Sequence, residues 1–234
     1  MSSRIKKCLI GRKYTEETEE LNSLGIETFL LPESLKLDDE INNHADILCF
    51  NAGNGELFID SSIAGEIEPF LKGYKVAYCE LIESPYPNDI KLNVALMGSK
   101  LFCNVKAVND ELLLWAKRKN ISLIHTNQGY TKCNMCVVND SAVITEDDGL
   151  SSLLKNYQIE VLKVVPGSVT LSDSHYGFIG GAGVKISDNE MYFSGDISSH
   201  PEYAQISSFL NKYNVTPIFN PNRPLRDFGG LIAL

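Results

Sequence analysis

Short apolar runs joined by tight polar turns recur along the chain, and each pair of runs is followed by a stretch with apolar residues three or four apart. Asp46-Ile-Leu-Cys-Phe50 passes through Gly53-Asn54-Gly55 into Glu56-Leu-Phe-Ile-Asp60, then a helical pattern, then Lys75-Val-Ala-Tyr78. Residues 92–97, 134–138 and 178–182 open the same series again. The unit is strand, turn, strand, amphipathic helix, strand, at a period of roughly 45 residues, the signature of a repeat architecture.

The helices are marked by period and by caps. Leu150, Leu153, Leu154 and Tyr157 form one apolar stripe behind the N-capping Asp147-Asp148. Tyr203, Ile206, Phe209, Leu210 and Tyr213 form a second, entered through Ser199-His200-Pro201. Ile63, Ile67, Phe70 and Leu71 form a third that stops at Gly73, and Leu112, Trp115 and Ala116 a fourth behind Asn109-Asp110. A weaker pattern over residues 15–24 ends at Gly25. Asn-Gly, Gly-Ser and Asn-Asp turns have the chemistry that hairpins require. A third strand is expected after each helix, over residues 26–31, 74–81, 121–126, 159–164 and 215–219. The first unit lacks an opening strand and the chain finishes on an orphan strand over 228–234. The orphan is expected to complete the first unit and close a ring, since a terminal Leu-Ile-Ala-Leu is a poor polar cap for an open solenoid. No linker divides the sequence, which reads as a single domain over residues 1–234.

The 234 residues carry 44% hydrophobic and 22% charged side chains, enough for a substantial core. A net charge of −9 with no basic run argues against nucleic acid and anionic membrane as partners. Five of the six cysteines lie in apolar runs, where free cysteine behaves as a small hydrophobe. With no leader pattern at the start and no apolar run near the length of a membrane span, the expectation is a cytoplasmic protein with reduced thiols.

Five such units closed by the C-terminal strand resemble the pentein superfamily of guanidine-modifying enzymes, an α/β propeller with five blades. Gly129-Tyr-Thr-Lys-Cys-Asn-Met-Cys136, His175-Tyr-Gly-Phe-Ile-Gly-Gly181 and Asp227-Phe-Gly-Gly230 also resemble an uncharacterised clostridial-type bacterial family of that fold. The superfamily includes deiminases, dimethylarginine hydrolases, amidinotransferases and a noncatalytic member that binds the large ribosomal subunit. Its enzymes attack a guanidinium carbon with a thiolate, move protons with histidine and hold the substrate with carboxylates. The resemblance implies a C-terminal Gly-Gly-x-x-His-Cys, yet here Gly229-Gly230-Leu231-Ile232 is followed by Ala233 and Leu234. The substrate-gripping Glu-Gly-Gly-Asp becomes Ile179-Gly180-Gly181-Ala182. Glycines that shape the fold are present and the chemistry is not.

Cys133-Asn-Met-Cys136 is a lone C-x-x-C without the second pair or histidines that a metal site needs, and on a strand its cysteines would point to opposite faces. Cys133 is the candidate thiol of the two. His175, within Asp173-Ser-His-Tyr-Gly177, precedes the glycine pair and is expected near the ring's axial pocket with Asp227, which follows Arg226. Gly180-Gly181 and Gly229-Gly230, read as strand glycines, mark close approach of another backbone or a ligand. The stiff Pro85-Tyr-Pro-Asn-Asp89 loop adds Asp89, with Asn93 beyond it. The candidate pocket is therefore Cys133, His175, Asp227, Asp89, Asn93, Gly180 and Gly181, with no metal or cofactor implied. The expected function is noncatalytic binding of a small polar molecule or a protein. The alternative is a hydrolase or amidinotransferase-like enzyme acting on a guanidino or related metabolite through Cys133 and His175.

Overall fold

The computed structural model describes residues 3–172 and 175–234. Its strands are β1 Lys7–Gly11, β2 Glu27–Leu31, β3 Cys49–Asn51, β4 Glu56–Asp60, β5 Lys75–Cys79, β6 Ala95–Met97, β7 Lys100–Cys103 and β8 Ser122–His125. They continue as β9 Cys136–Asn139, β10 Ala142–Thr145, β11 Glu160–Lys163, β12 Gly183–Ser187, β13 Glu190–Phe193, β14 Thr216–Ile218 and β15 Ile232–Ala233. The helices are α1 Thr15–Ser23, α2 Ala45–Leu48, α3 Ala64–Ile67, α4 Asp110–Arg118, α5 Asp148–Asn156, α6 Ile179–Ala182 and α7 Tyr203–Lys212.

The strands make five three-stranded sheets with one topology: β15-β1-β2, β3-β4-β5, β6-β7-β8, β9-β10-β11 and β12-β13-β14. In each, the central strand is antiparallel to one neighbour and parallel to the next, the parallel partner following a helical connection. Two compact units contain them. One comprises the chain up to Ile5 with Lys132–Gly230, and the other Lys6–Thr131 with Leu231–Leu234. The first holds two of the sheets and the second three.

The C-terminal strand completes the first sheet, as the orphan run suggested. Cys8 faces Ala233 and Leu9 faces Ile232 in an antiparallel pair, and Leu234 N–H donates to the Lys7 carbonyl at 2.9 Å. The strand is only two residues long rather than seven. Gly229 and Gly230 both have positive φ, at 68° and 61°, which breaks an extended run.

Two of the longer helices, α4 and α5, begin where cap chemistry places them. Asn109 accepts the Glu111 and Leu112 N–H groups ahead of α4, and Asp147 accepts that of Leu150 ahead of α5. Left-handed residues follow the ends: Gly25 after α1, Asn120 after α4, Gln158 after α5 and Asn214 after α7. The expected helix over 63–71 is broken into α3 between two short 3₁₀ turns, because Gly65 weakens it and Pro69 lacks an amide donor.

Four opening strands start later than the apolar pattern suggests, β6 among them at Ala95 rather than Leu92. Residues 45–48 and 179–182 form the buried helical turns α2 and α6, and Met135 closes a turn on Lys132 before β9 begins. A buried strand and a buried helical turn show the same unbroken apolar run. Gly180-Gly181 therefore sit in a helical turn, not a strand, and Cys133 lies in a turn while Cys136 opens β9. Among the described residues, no helix is long and apolar enough to cross a membrane.

Candidate functional site

The first unit is organised around α6. Glycine is required there because the backbone of the turn at Lys132 and Cys133, in the same unit, presses on it. A Cβ on Gly180 would stand 2.6 Å from the carbonyl oxygens of both Lys132 and Cys133, and one on Gly181 would run into the Asp227 carboxylate. Gly177 likewise packs on the Asp227 side chain.

Two acids hold the entrance to this turn. Asp227, 2% exposed, accepts the Phe178 N–H at 2.9 Å through Oδ2 and the Gly229 N–H at 2.9 Å through Oδ1. Glu146, which follows β10, accepts the Ile179 N–H at 3.0 Å through Oε2. Its other oxygen, Oε1, is buried and has no hydrogen-bond partner among the described residues. Burial pushes the Glu146 carboxyl up to about 7; the Ile179 amide opposes that shift and the Asp227 charge adds to it. Lys132 supplies the basic member, its ammonium donating to the Gly180 carbonyl at 2.8 Å. Cys136 senses both Lys132 and Glu146, with burial raising its thiol to about 12.

Lys132 also reaches the wall of a cavity of about 580 Å³ in the same unit. The wall is built from β9 and its turn, from β12, and from Ser3 and Ile5. The N-terminal segment is fixed there, for Ile5 N–H donates to the Ile186 carbonyl at 2.8 Å and Arg4 grips Glu190 with two bonds of 2.7 Å. Lys185, on β12, is the second cation in the lining and donates to the Asp188 carbonyl at 2.8 Å.

The candidates read from the sequence are distributed as follows. Cys133, Gly180, Gly181 and Asp227 gather at α6, all buried. His175 is exposed, its Nδ1 3.5 Å from Ser172 Oγ, and it connects to Asp227 along the chain through Gly177 and Phe178. Asp173 and Ser174, quoted with it, lie outside the described residues. Neither His175 nor Asp227 lines the 580 Å³ cavity. Asp89 and Asn93 belong to the other unit. There Asp89 accepts the Tyr130 hydroxyl at 2.5 Å while burial raises its carboxyl, and Asn93 donates to the Asp46 carbonyl at 3.1 Å.

Glu146, Lys132 and Lys185 were not singled out by the sequence. Glu146 hides in the acidic run Glu146-Asp147-Asp148 that reads as a helix start. Lys185, between Val184 and Ile186, did carry a signal: a lone charge among apolar strand residues.

The sequence matches the family of unknown function DUF6873 over residues 9–232. The chain belongs to this family. A search of the curated proteins finds no match. Solved structures share the fold at low identity. The dimethylarginine dimethylaminohydrolase (DDAH) of Pseudomonas aeruginosa, complexed with citrulline, aligns with a TM-score of 0.58 at 9% identity over 98% of this chain and 97% of that one. Agmatine deiminase of C. jejuni aligns with a TM-score of 0.56 at 12% identity, over 93% and 87%. The inosamine-phosphate amidinotransferase of Streptomyces griseus aligns with a TM-score of 0.57 at 11% identity, over 99% and 94%. This DUF6873 chain thus has the α/β pentein fold of guanidine-modifying enzymes, and likeness at this identity carries the fold alone.

Proposed function

We propose that this DUF6873 protein is a noncatalytic pentein that binds a small polar molecule in the first unit. In this reading it is a bacterial cytoplasmic protein whose five sheets form a single ring closed by β15. The observation that carries the noncatalytic part is the state of its thiols. All six cysteines are buried, and among the described residues none is in a disulfide. Burial raises Cys8, Cys79, Cys103 and Cys136 to about 12 and Cys49 well above its usual value. The nucleophile of guanidine chemistry is the thiolate, and a desolvated thiol does not supply it at neutral pH.

The remaining functional groups fit the same reading. Ala233 and Leu234, at the positions of the missing histidine and cysteine, are committed to the β15–β1 pairing. The acids Asp227 and Glu146 hold backbone amides of α6. Cys133, Gly180, Gly181 and Asp227 then shape the turn that carries Lys132 to the cavity. A volume of about 580 Å³ is ordinary for a small-molecule site.

The test is incubation of the purified protein with arginine, agmatine and methylated arginines, followed by product analysis. No citrulline, no urea-type product and no amidino transfer are expected. Turnover that is lost in Cys133→Ala would replace this reading with an enzyme whose nucleophile is Cys133.

A further inference from the structure

We propose that the 580 Å³ cavity is a site for a small anion bearing a carboxylate or phosphate group, held by Lys185 and Lys132. This deepens the small-molecule reading above and rests on it.

The argument begins with where the charges stand. Lys185 occupies β12 between Val184 and Ile186 and is half-buried. A half-buried ammonium is costly unless a counter-charge meets it. Its bond goes to a neutral carbonyl, that of Asp188, and among the described residues no carboxylate forms an ion pair with Lys185. Burial accordingly depresses its basicity, against the more distant pull of Asp188 and Asp140. An ammonium has three donors, so two remain for a ligand. Lys132 brings a second ammonium to the same cavity, anchored on the Gly180 carbonyl.

The distribution of acids sets the size of the ligand. Asp140 and Asp188 also belong to the lining, but both are exposed, in the turns that follow β9 and β12, whereas the two lysines are partly buried. The interior is therefore basic and the rim acidic. A compact anion gains two charge-assisted contacts inside. A long polyanion would have to run past the rim aspartates on a chain of net charge −9, which repels it. Asn139 adds an amide to the wall, and Ser3 a hydroxyl carried by the segment that Arg4 and Ile5 fix in place.

The experiment is calorimetric titration with malonate and, separately, inorganic phosphate, at constant ionic strength so that general salt stabilisation does not enter. Agmatine and glycerol serve as the cationic and neutral probes. Saturable binding of malonate or phosphate is expected, and whichever anion binds more tightly identifies the group recognised. Lys185→Gln should weaken it by roughly tenfold or more and Lys185→Arg by much less, consistent with loss of one charged contact. Circular dichroism of both variants establishes that they are folded. Anion binding indifferent to Lys185→Gln overturns the assignment. Binding of agmatine or glycerol, with neither anion bound, overturns it while leaving the small-molecule reading standing. Silence from all four probes removes the cavity as a site.

Discussion

Glu146 and Asp227 grip two successive amides of one turn: Asp227 takes the Phe178 N–H at 2.9 Å and Glu146 the Ile179 N–H at 3.0 Å. The two carboxyls differ in how well they are served. Both Asp227 oxygens accept backbone amides, while Glu146 Oε1 is buried and has no hydrogen-bond partner among the described residues. Ionising Glu146 therefore costs more than its one amide bond returns.

That asymmetry predicts a pH dependence of stability. The folded Glu146 titrates near 7, above its ordinary 4.5, so the folded state holds the proton more tightly. Below pH 4.5 both states are protonated and nothing is lost. Between about 4.5 and 7 the unfolded chain ionises first and stability falls; above 7 the loss levels off. The linkage is about 3 kcal/mol. Denaturant unfolding of wild type and Glu146→Gln from pH 4 to 8 should show the variant gaining by about that amount relative to wild type as pH rises. A difference between the two that does not change with pH would remove Glu146 as the titrating group.

The turn's glycines give a second prediction. Gly181→Ala drives a methyl group into the Asp227 carboxylate, which is fixed by two amides and cannot swing aside. Overpacking of this kind costs about 3 kcal/mol or more. Gly65→Ala is the control, because a Cβ there meets nothing within 4 Å. The melting temperature should fall for the first and hold or rise for the second. Equal melting temperatures would mean that α6 has room the geometry does not show.

These residues also mark what the sequence made legible. The repeat unit, the caps at Asn109 and Asp147 and the terminal strand's partner follow from local rules of period, capping and pairing. The helical turns α2 and α6 do not, since a four-residue buried turn has the same apolar signature as a strand. Gly180-Gly181 do mark close approach, but the object approached was visible only in three dimensions: the Lys132 and Cys133 carbonyls for Gly180, the Asp227 carboxylate for Gly181. Gly229-Gly230 answer instead to positive φ, and Gly230 has only ordinary contact around it. Lys132 and Lys185 stand over 50 residues apart, and only the packing of β9 near β12 puts both on one cavity wall.

The thiols should be slow to react. With all six buried and five raised by desolvation, a chromogenic disulfide reagent at pH 8 should label essentially none in the native protein and all six in denaturant. The native rate should track global or local opening rather than thiolate concentration. One fast equivalent that disappears in Cys133→Ala would show that this thiol is accessible, and would weaken the noncatalytic reading at its base.

The C-terminal strand supplies the last prediction. β15 provides the antiparallel neighbour of β1, Ile232 and Leu234 pack into the core of the second unit, and Asn51 Nδ2 donates to the Ala233 carbonyl at 2.6 Å. Deleting residues 228–234 would bare the β1 edge and the apolar surface behind it, a template for intermolecular pairing. Phe228, fully buried in the first unit against Tyr192, would be lost with it. The truncated protein should be insoluble or molten. A point change separates pairing from bulk loss: Ile232→Asp keeps the chain length but places a charge in the core, and should destabilise by about 3 kcal/mol or more. The measurement is thermal unfolding with light scattering on the full chain, the truncation and Ile232→Asp. A truncated chain that melts cooperatively at the wild-type temperature would show that β15 is dispensable, and the proposed ring closure would lose its support.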